Sequence, residues 1–280
     1  MAKLAGMNLL EEVEGIAREA GAAIMKVYAR DFSASVKEDK SPLTEADTAA
    51  HQVITSRLER LHPALPILSE EAVGDFSGAD NSRRYWLVDP LDGTKEFIKR
   101  NGEFTVNIAL IENGRSILGV VYAPVLDVVY LAAEGLGAFK AGSDRIRVPI
   151  HVSEHTEGTP WRVVGSRSHA GDTLTAFLHR LGTHELISMG SSLKFCLVAE
   201  GSADVYPRLG PTSLWDTAAA QCVVEQAGGG VVQLTGEPLS YADPSAILNP
   251  YFVVQGKSAV YWADLLRNFR QQPVIIPTIA

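Results

Sequence analysis

The chain has 280 residues, 46% hydrophobic and 21% charged, which suits one large domain or two fused halves and argues against disorder. Its formal net charge of −8 disfavours a general duplex nucleic-acid binder, which would be basic. A small phosphorylated ligand stays open, because one local basic pocket or a metal is enough to hold it.

In chain order, residues 8 to 29 carry an apolar stripe (Leu9, Leu10, Val13, Ile16, Ala17, Ala20, Ile24, Val27) with helical spacing. Residues 33 to 44 read as a polar hairpin or loop. Asp47 then opens a second amphipathic helix reaching about Leu61, with acid at its positive end. "LPILSEE" (65 to 71) is a short strand running into two glutamates, and "YWLVDP" (85 to 90) is another strand. Runs at 104 to 111, 116 to 123 and 127 to 133, divided by Asn113-Gly114 and Pro124, predict a meander. Between 140 and 160 the composition turns polar. A soft boundary there gives an N-terminal half, 1–150, and a C-terminal half, 151–280, acting as one continuous catalytic unit.

The second half alternates strand 162 to 166, helix 172 to 181, strand 184 to 188 and helix 192 to 200. After "ADVYP" comes a helix over 214 to 227, ended by Gly228-Gly229-Gly230. Strand 251 to 255 and helix 258 to 269 follow. The sum is an α/β fold in layers, with an antiparallel section in the first half. Cys196 and Cys222 sit in apolar, helix-like surroundings and read as buried free thiols, which suits a reducing compartment. The N-terminus lacks an apolar signal-peptide core. The longest apolar stretch, 117 to 139, is broken by Pro124, Asp127 and Glu134, so no membrane span is predicted.

The chemistry concentrates in "DPLDGT", 89 to 94. Pro90 fixes the backbone between Asp89 and Asp92, so both carboxylates and the Leu91 carbonyl can face one space. Oxygen ligands of this kind suit a hard cation such as Mg²⁺, though Asp-Pro and Asp-Gly also make ordinary turns. Gly93 allows close backbone approach to a ligand, and Thr94 starts a turn whose N–H groups could hold phosphate oxygens. Glu70 ends another strand, where α/β sheets place ligands. Asp47 and Asp216 each start a helix, where an acid can also serve only the helix dipole. If these acids share a pocket, their repulsion calls for two or three Mg²⁺ ions. No histidine spacing and no cysteine cluster supports zinc.

Asp47 in "SPLTEAD", Glu70 in "LSEE", "DPLDGT" and "WDTAA" (215 to 219) together resemble the four signatures of the inositol-monophosphatase superfamily, in order and over nearly the whole chain. "DPLDGTKEF" and the segment from Gly190 to Gln221 are similar to the CysQ-type 3′(2′),5′-bisphosphate nucleotidase branch. Ala220 departs from the residue often found at its place. The resemblance implies a layered αβαβα sugar-phosphatase-like fold with mixed sheets, and Mg²⁺-dependent, lithium-sensitive phosphatase activity.

It also implies roles. Glu70, Asp89, the Leu91 carbonyl, Asp92 and Asp216 would hold metal, and Asp47 with Thr94 would activate water. Gly93 and Thr94 would receive the scissile phosphate beside Glu70, Leu91, Asp92 and Asp216. His169, Ser191, Lys194 and Arg208 would bind the adenosine and a second phosphate. The implied reaction removes the 3′-phosphate of adenosine 3′,5′-bisphosphate (PAP), with its sulfonated relative PAPS as a further substrate, in support of sulfate assimilation. An inositol or sugar monophosphatase is the alternative, and a non-catalytic Mg²⁺- or nucleotide-binding regulator is a further one. The partner is then a small nucleotide and not a nucleic acid. A monomer and a homodimer both stay open. The expected location is cytoplasmic, with peripheral association at the inner membrane left open.

Overall fold

The computed structural model describes residues 2–32, 34–36, 42–61, 63–166, 172–260 and 262–266. Helix α1 (Ala2–Tyr28) is followed by the short antiparallel pair β1 (Ala34–Val36) and β2 (Pro42–Thr44), then α2 (Glu45–Leu58). β3 (Ile67–Ser69) runs into a 3-10 turn, Glu70–Asp75. β4 (Arg84–Asp92), the one-turn helix α3 (Thr94–Ile98), β5 (Thr105–Glu112), β6 (Arg115–Ala123), β7 (Val128–Ala133), β8 (Gly137–Ala141) and β9 (Val148–Pro149) complete the first half. The second half contains β10 (Trp161–Ser166), α4 (Asp172–Leu181), β11 (His184–Met189), α5 (Leu193–Ala199) and β12 (Val205–Arg208). A 3-10 turn (Leu214–Asp216), α6 (Ala218–Gln226), β13 (Gly230–Gln233), β14 (Phe252–Gln255) and α7 (Trp262–Leu266) follow.

Seven strands, β3 to β9 in chain order, form one sheet that is antiparallel except for the parallel β3–β4 pair. Five strands in the order β11-β10-β12-β14-β13 form a second mixed sheet. Alternation along the strands decides the layering. On β5, Val106, Ile108 and Leu110 point toward α1 and α2, while Ala109 and Ile111 point toward α5 and α6. On the second sheet, Val164, Tyr206 and Val254 share that middle core, and Val163, Val205 and Val253 meet Phe177 and Trp262 of α4 and α7 on the outside. The five layers are therefore αβαβα.

The apolar stripe of α1 is buried as its spacing requires. α6 lies so close to the large sheet that a Cβ on Gly119 would stand 2.1 Å from the Ala219 carbonyl oxygen. Three sequence expectations need correction. The 214 to 227 run is not one helix, because Thr217 (φ −118°) separates the 3-10 turn from α6. α2 begins at Glu45, with Thr44 as its N-cap and Asp47 inside the first turn. The helix expected over 258 to 269 does not include residues 258 to 260, which precede α7, and β13, starting at Gly230, is a strand the sequence reading did not contain. No helix among the described residues is long and apolar enough to cross a membrane.

Candidate active site

β4 loses regular register with β5 between Asp89 and Asp92, where Pro90 removes a ladder donor. The Asp89 Oδ1 accepts the Leu91 amide at 3.0 Å, so the strand ends in a tight Asx turn. The Leu91 side chain is buried against the α1 and α2 layer, and its carbonyl stands 3.4 Å from the Thr94 hydroxyl. Asp216 arrives from the other half. Its Oδ2 accepts the Ser213 amide at 2.9 Å, closing a capping box that fixes the carboxylate.

One ligand oxygen from each of Asp89, Asp92 and Asp216 lies within 4.8 Å of the others. Glu70 joins them, since β3 runs parallel to β4 and its carboxylate hydrogen-bonds to Asp89. Burial, then the charges of Glu70, Asp92 and Asp216, hold the Asp89 carboxyl well above the ordinary carboxylate range. Burial and then Asp92 push Asp216 up to about 8. Carboxylates crowded this closely ionise together only beside a compensating positive charge. An all-oxygen, acidic donor set, with Asp89 buried and Glu70, Asp92 and Asp216 half-buried, fits a hard divalent cation.

Asp47 is 1% exposed. Its Oδ2 accepts the Thr44 amide at 2.8 Å and the Thr44 hydroxyl at 2.7 Å, as a helix-capping acid should. Its Oδ1 is then available to accept the Thr94 hydroxyl, at 3.2 Å. One carboxylate oxygen of Asp47 thus serves the start of the helix, and the other meets Thr94. Thr94 stands directly after Gly93, whose φ of +95° turns the chain from β4 into α3.

Asp92 and Asp216 line one cleft together with Ser191, Lys194 and Arg208. The Lys194 ammonium donates to the Ser191 carbonyl at 2.5 Å and lies 5.6 Å from the Tyr206 ring centre. Burial pushes its pKa down to about 8 against the opposing pull of Asp92. Arg208 donates to the Pro211 carbonyl at 2.5 Å, and its Nε is buried without a hydrogen-bond partner among the described residues. His169 lies outside the described residues.

The sequence reading missed Ser192. Its hydroxyl is 2.7 Å from Asp92 Oδ2 and 2.9 Å from the Asn107 amide nitrogen. The adjacent Ser191 drew attention instead. Its left-handed backbone (φ +47°), which turns the next residue toward the acids, leaves no trace in composition.

Five αβαβα layers, an acidic cluster built around Asp89 and an aspartate–threonine pair define the architecture of a metal-dependent phosphatase. The family model for the inositol monophosphatase family matches residues 8–268, and the chain belongs to that family, whose enzymes are metal-dependent. It is 54% identical over 250 residues to the 3′(2′),5′-bisphosphate nucleotidase CysQ of Salmonella typhimurium, covering 88% of this chain and 99% of the relative. The CysQ of Escherichia coli K12 is 52% identical with the same coverage. Among solved structures, CysQ from Bacteroides thetaiotaomicron superposes with a TM-score of 0.76 at 40% identity, covering 89% of this chain and 97% of that one. An IMPase from Thermotoga maritima superposes at 0.74 and 27% identity, covering 93% and 94%.

Proposed function

We propose that this chain is a Mg²⁺-dependent 3′(2′),5′-bisphosphate nucleotidase that converts PAP to AMP and phosphate and also accepts PAPS, serving sulfate assimilation. The observation that carries the reading is the sharing of one cleft by the acidic cluster and two cations, Lys194 and Arg208. A monophosphate needs only the acids and their metal. A second phosphate needs positive charge away from the metal, and these two side chains supply it. The relatives at 52–54% identity are named for that chemistry.

In this reading Glu70, Asp89, the Leu91 carbonyl, Asp92 and Asp216 hold two or three Mg²⁺ ions. Bound Mg²⁺ would supply positive charge to the phosphoryl oxygens and make a nearby water more acidic. Asp47 orients the Thr94 hydroxyl, and the pair aligns the attacking water and takes its proton. The turn at Gly93 and Thr94 offers backbone N–H groups to the scissile phosphate. Lys194 and Arg208 hold the 5′-phosphate, and Ser191 and His169 the adenosine side. The halves 1–150 and 151–280 act as one unit, since the acids come from both.

Phosphate release from PAP, PAPS and inositol 1-phosphate, each with Mg²⁺, with Mg²⁺ plus Li⁺, and with EDTA, tests this. PAP turnover that needs Mg²⁺, falls with Li⁺ and far exceeds inositol 1-phosphate turnover is expected. Full activity in EDTA would remove the metal from the account, and preference for inositol 1-phosphate would leave a simple monophosphatase.

A further inference from the structure

We propose that Ser192, held by Asn107, is a positioning residue that sets the Asp92 carboxylate for metal binding and ties the metal cluster to the Lys194 segment. The inference rests on the reading of Asp92 as a metal ligand. Both residues are only 1% exposed. Asn107 lies on β5 of the large sheet, on the face that meets α5 and α6, and Ser192 immediately precedes α5. The Asn107 Nδ2 donates to the Ser192 hydroxyl at 2.9 Å. The hydroxyl has one hydrogen of its own to give, and two acceptors stand within reach: Asp92 Oδ2 at 2.7 Å and the Asp216 backbone carbonyl at 2.8 Å.

This arrangement has three consequences. The hydroxyl engages one oxygen of Asp92, which leaves the other to face a cation. The same oxygen atom stands 2.8 Å from the Asp216 backbone carbonyl, so it sits between two ligands separated by 124 positions in the chain. Ser192 is also two residues from Lys194, so the bond anchors the cation-bearing turn to the metal site. A ligand's outer hydrogen bonds commonly govern its orientation and basicity. Burial makes this one matter more than an exposed contact would.

The test is a Mn²⁺ titration of the metal-free protein, with free Mn²⁺ followed by electron paramagnetic resonance and folding checked by near-ultraviolet circular dichroism. Ser192→Ala is expected to weaken Mn²⁺ binding about tenfold. Asn107→Ala, which acts only through Ser192, is expected to weaken it about threefold. The double variant should bind no worse than Ser192→Ala alone. In turnover, Ser192→Ala should need more Mg²⁺ and lose kcat on both PAP and inositol 1-phosphate, with KM at saturating Mg²⁺ rising for PAP, as the Lys194 segment loosens, and unchanged for inositol 1-phosphate. Wild-type Mn²⁺ affinity in the folded single variants overturns the proposal, as does full additivity in the double variant. If Ser192→Ala does not fold, the Asn107→Ala titration decides alone. Asp92→Asn is the control for the underlying reading: unchanged Mn²⁺ binding there would refute the ligand assignment itself, whatever Ser192 does.

Discussion

Thr94 carries one hydroxyl hydrogen, and Asp47 Oδ1 at 3.2 Å is the better placed of its two acceptors, the Leu91 carbonyl standing at 3.4 Å. That contact orients the hydroxyl oxygen, whose lone pairs are then free to face a water. Thr94→Val keeps the shape and removes the oxygen. We expect kcat to fall about 10²-fold with little change in KM, measured under saturating Mg²⁺. A change confined to KM would make Thr94 a binding residue. Asp89 and Asp92 stood out in the sequence because they lie three apart, with Pro90 and Gly93 dictating the turn around them, whereas the pairing of Asp47 with Thr94, 47 positions apart, was implied by the family resemblance alone. Ser192 was not legible, because its role depends on a left-handed Ser191 and on Asn107 reached across a sheet.

At the scale of elements, the contact between β6 and α6 positions half of the site. Asp216 precedes α6 by two residues, so the helix and the carboxylate move together. Gly119→Ala would drive a methyl group into the Ala219 carbonyl, which is backbone and cannot swing aside. The expected cost is about 2–3 kcal/mol, a fall of roughly 3–5 °C in melting midpoint for a chain of 280 residues, with loss of activity as α6 is displaced. A variant that melts and turns over like wild type would contradict the close packing described. Sequence periodicity could not anticipate this contact, since Gly119 sits inside an ordinary strand pattern. It also merged the 3-10 turn with α6, because the break at Thr217 is fixed by tertiary bonds: the buried Thr217 hydroxyl meets the Tyr241 hydroxyl and the Asn249 amide. By contrast, the meander was legible because Asn113-Gly114 and Pro124 mark its turns in the chain itself.

For the molecule as a whole, the acidic cluster links stability to pH and metal. Asp216 has its folded pKa raised to about 8 from an ordinary 3.8. The folded form therefore binds this proton more tightly than the unfolded form. The resulting stabilisation is complete below about pH 4 and is lost as pH rises toward 8. Lys194, pushed down to about 8 from 10.5, acts in a separate window: its deprotonation stabilises the fold as pH rises from about 8 to 10.5. The metal-free protein should thus show a melting midpoint that falls from pH 5 to 8 more steeply than that of Asp216→Asn. Saturating Mg²⁺ should flatten the decline, because metal binds the deprotonated carboxylates. Identical slopes in wild type and Asp216→Asn would remove the coupling.

Whether Lys194 and Arg208 recognise a second phosphate is measured most directly by the kcat/KM ratio of PAP to inositol 1-phosphate in wild type and Lys194→Ala. Loss of a charge-assisted contact in this buried cleft should lower kcat/KM for PAP by about 2–3 kcal/mol, while inositol 1-phosphate, which has nothing to offer Lys194, is nearly unaffected. The ratio should therefore collapse by roughly 30- to 150-fold. Equal losses on both substrates, or a wild-type ratio already favouring inositol 1-phosphate, would contradict the nucleotidase reading.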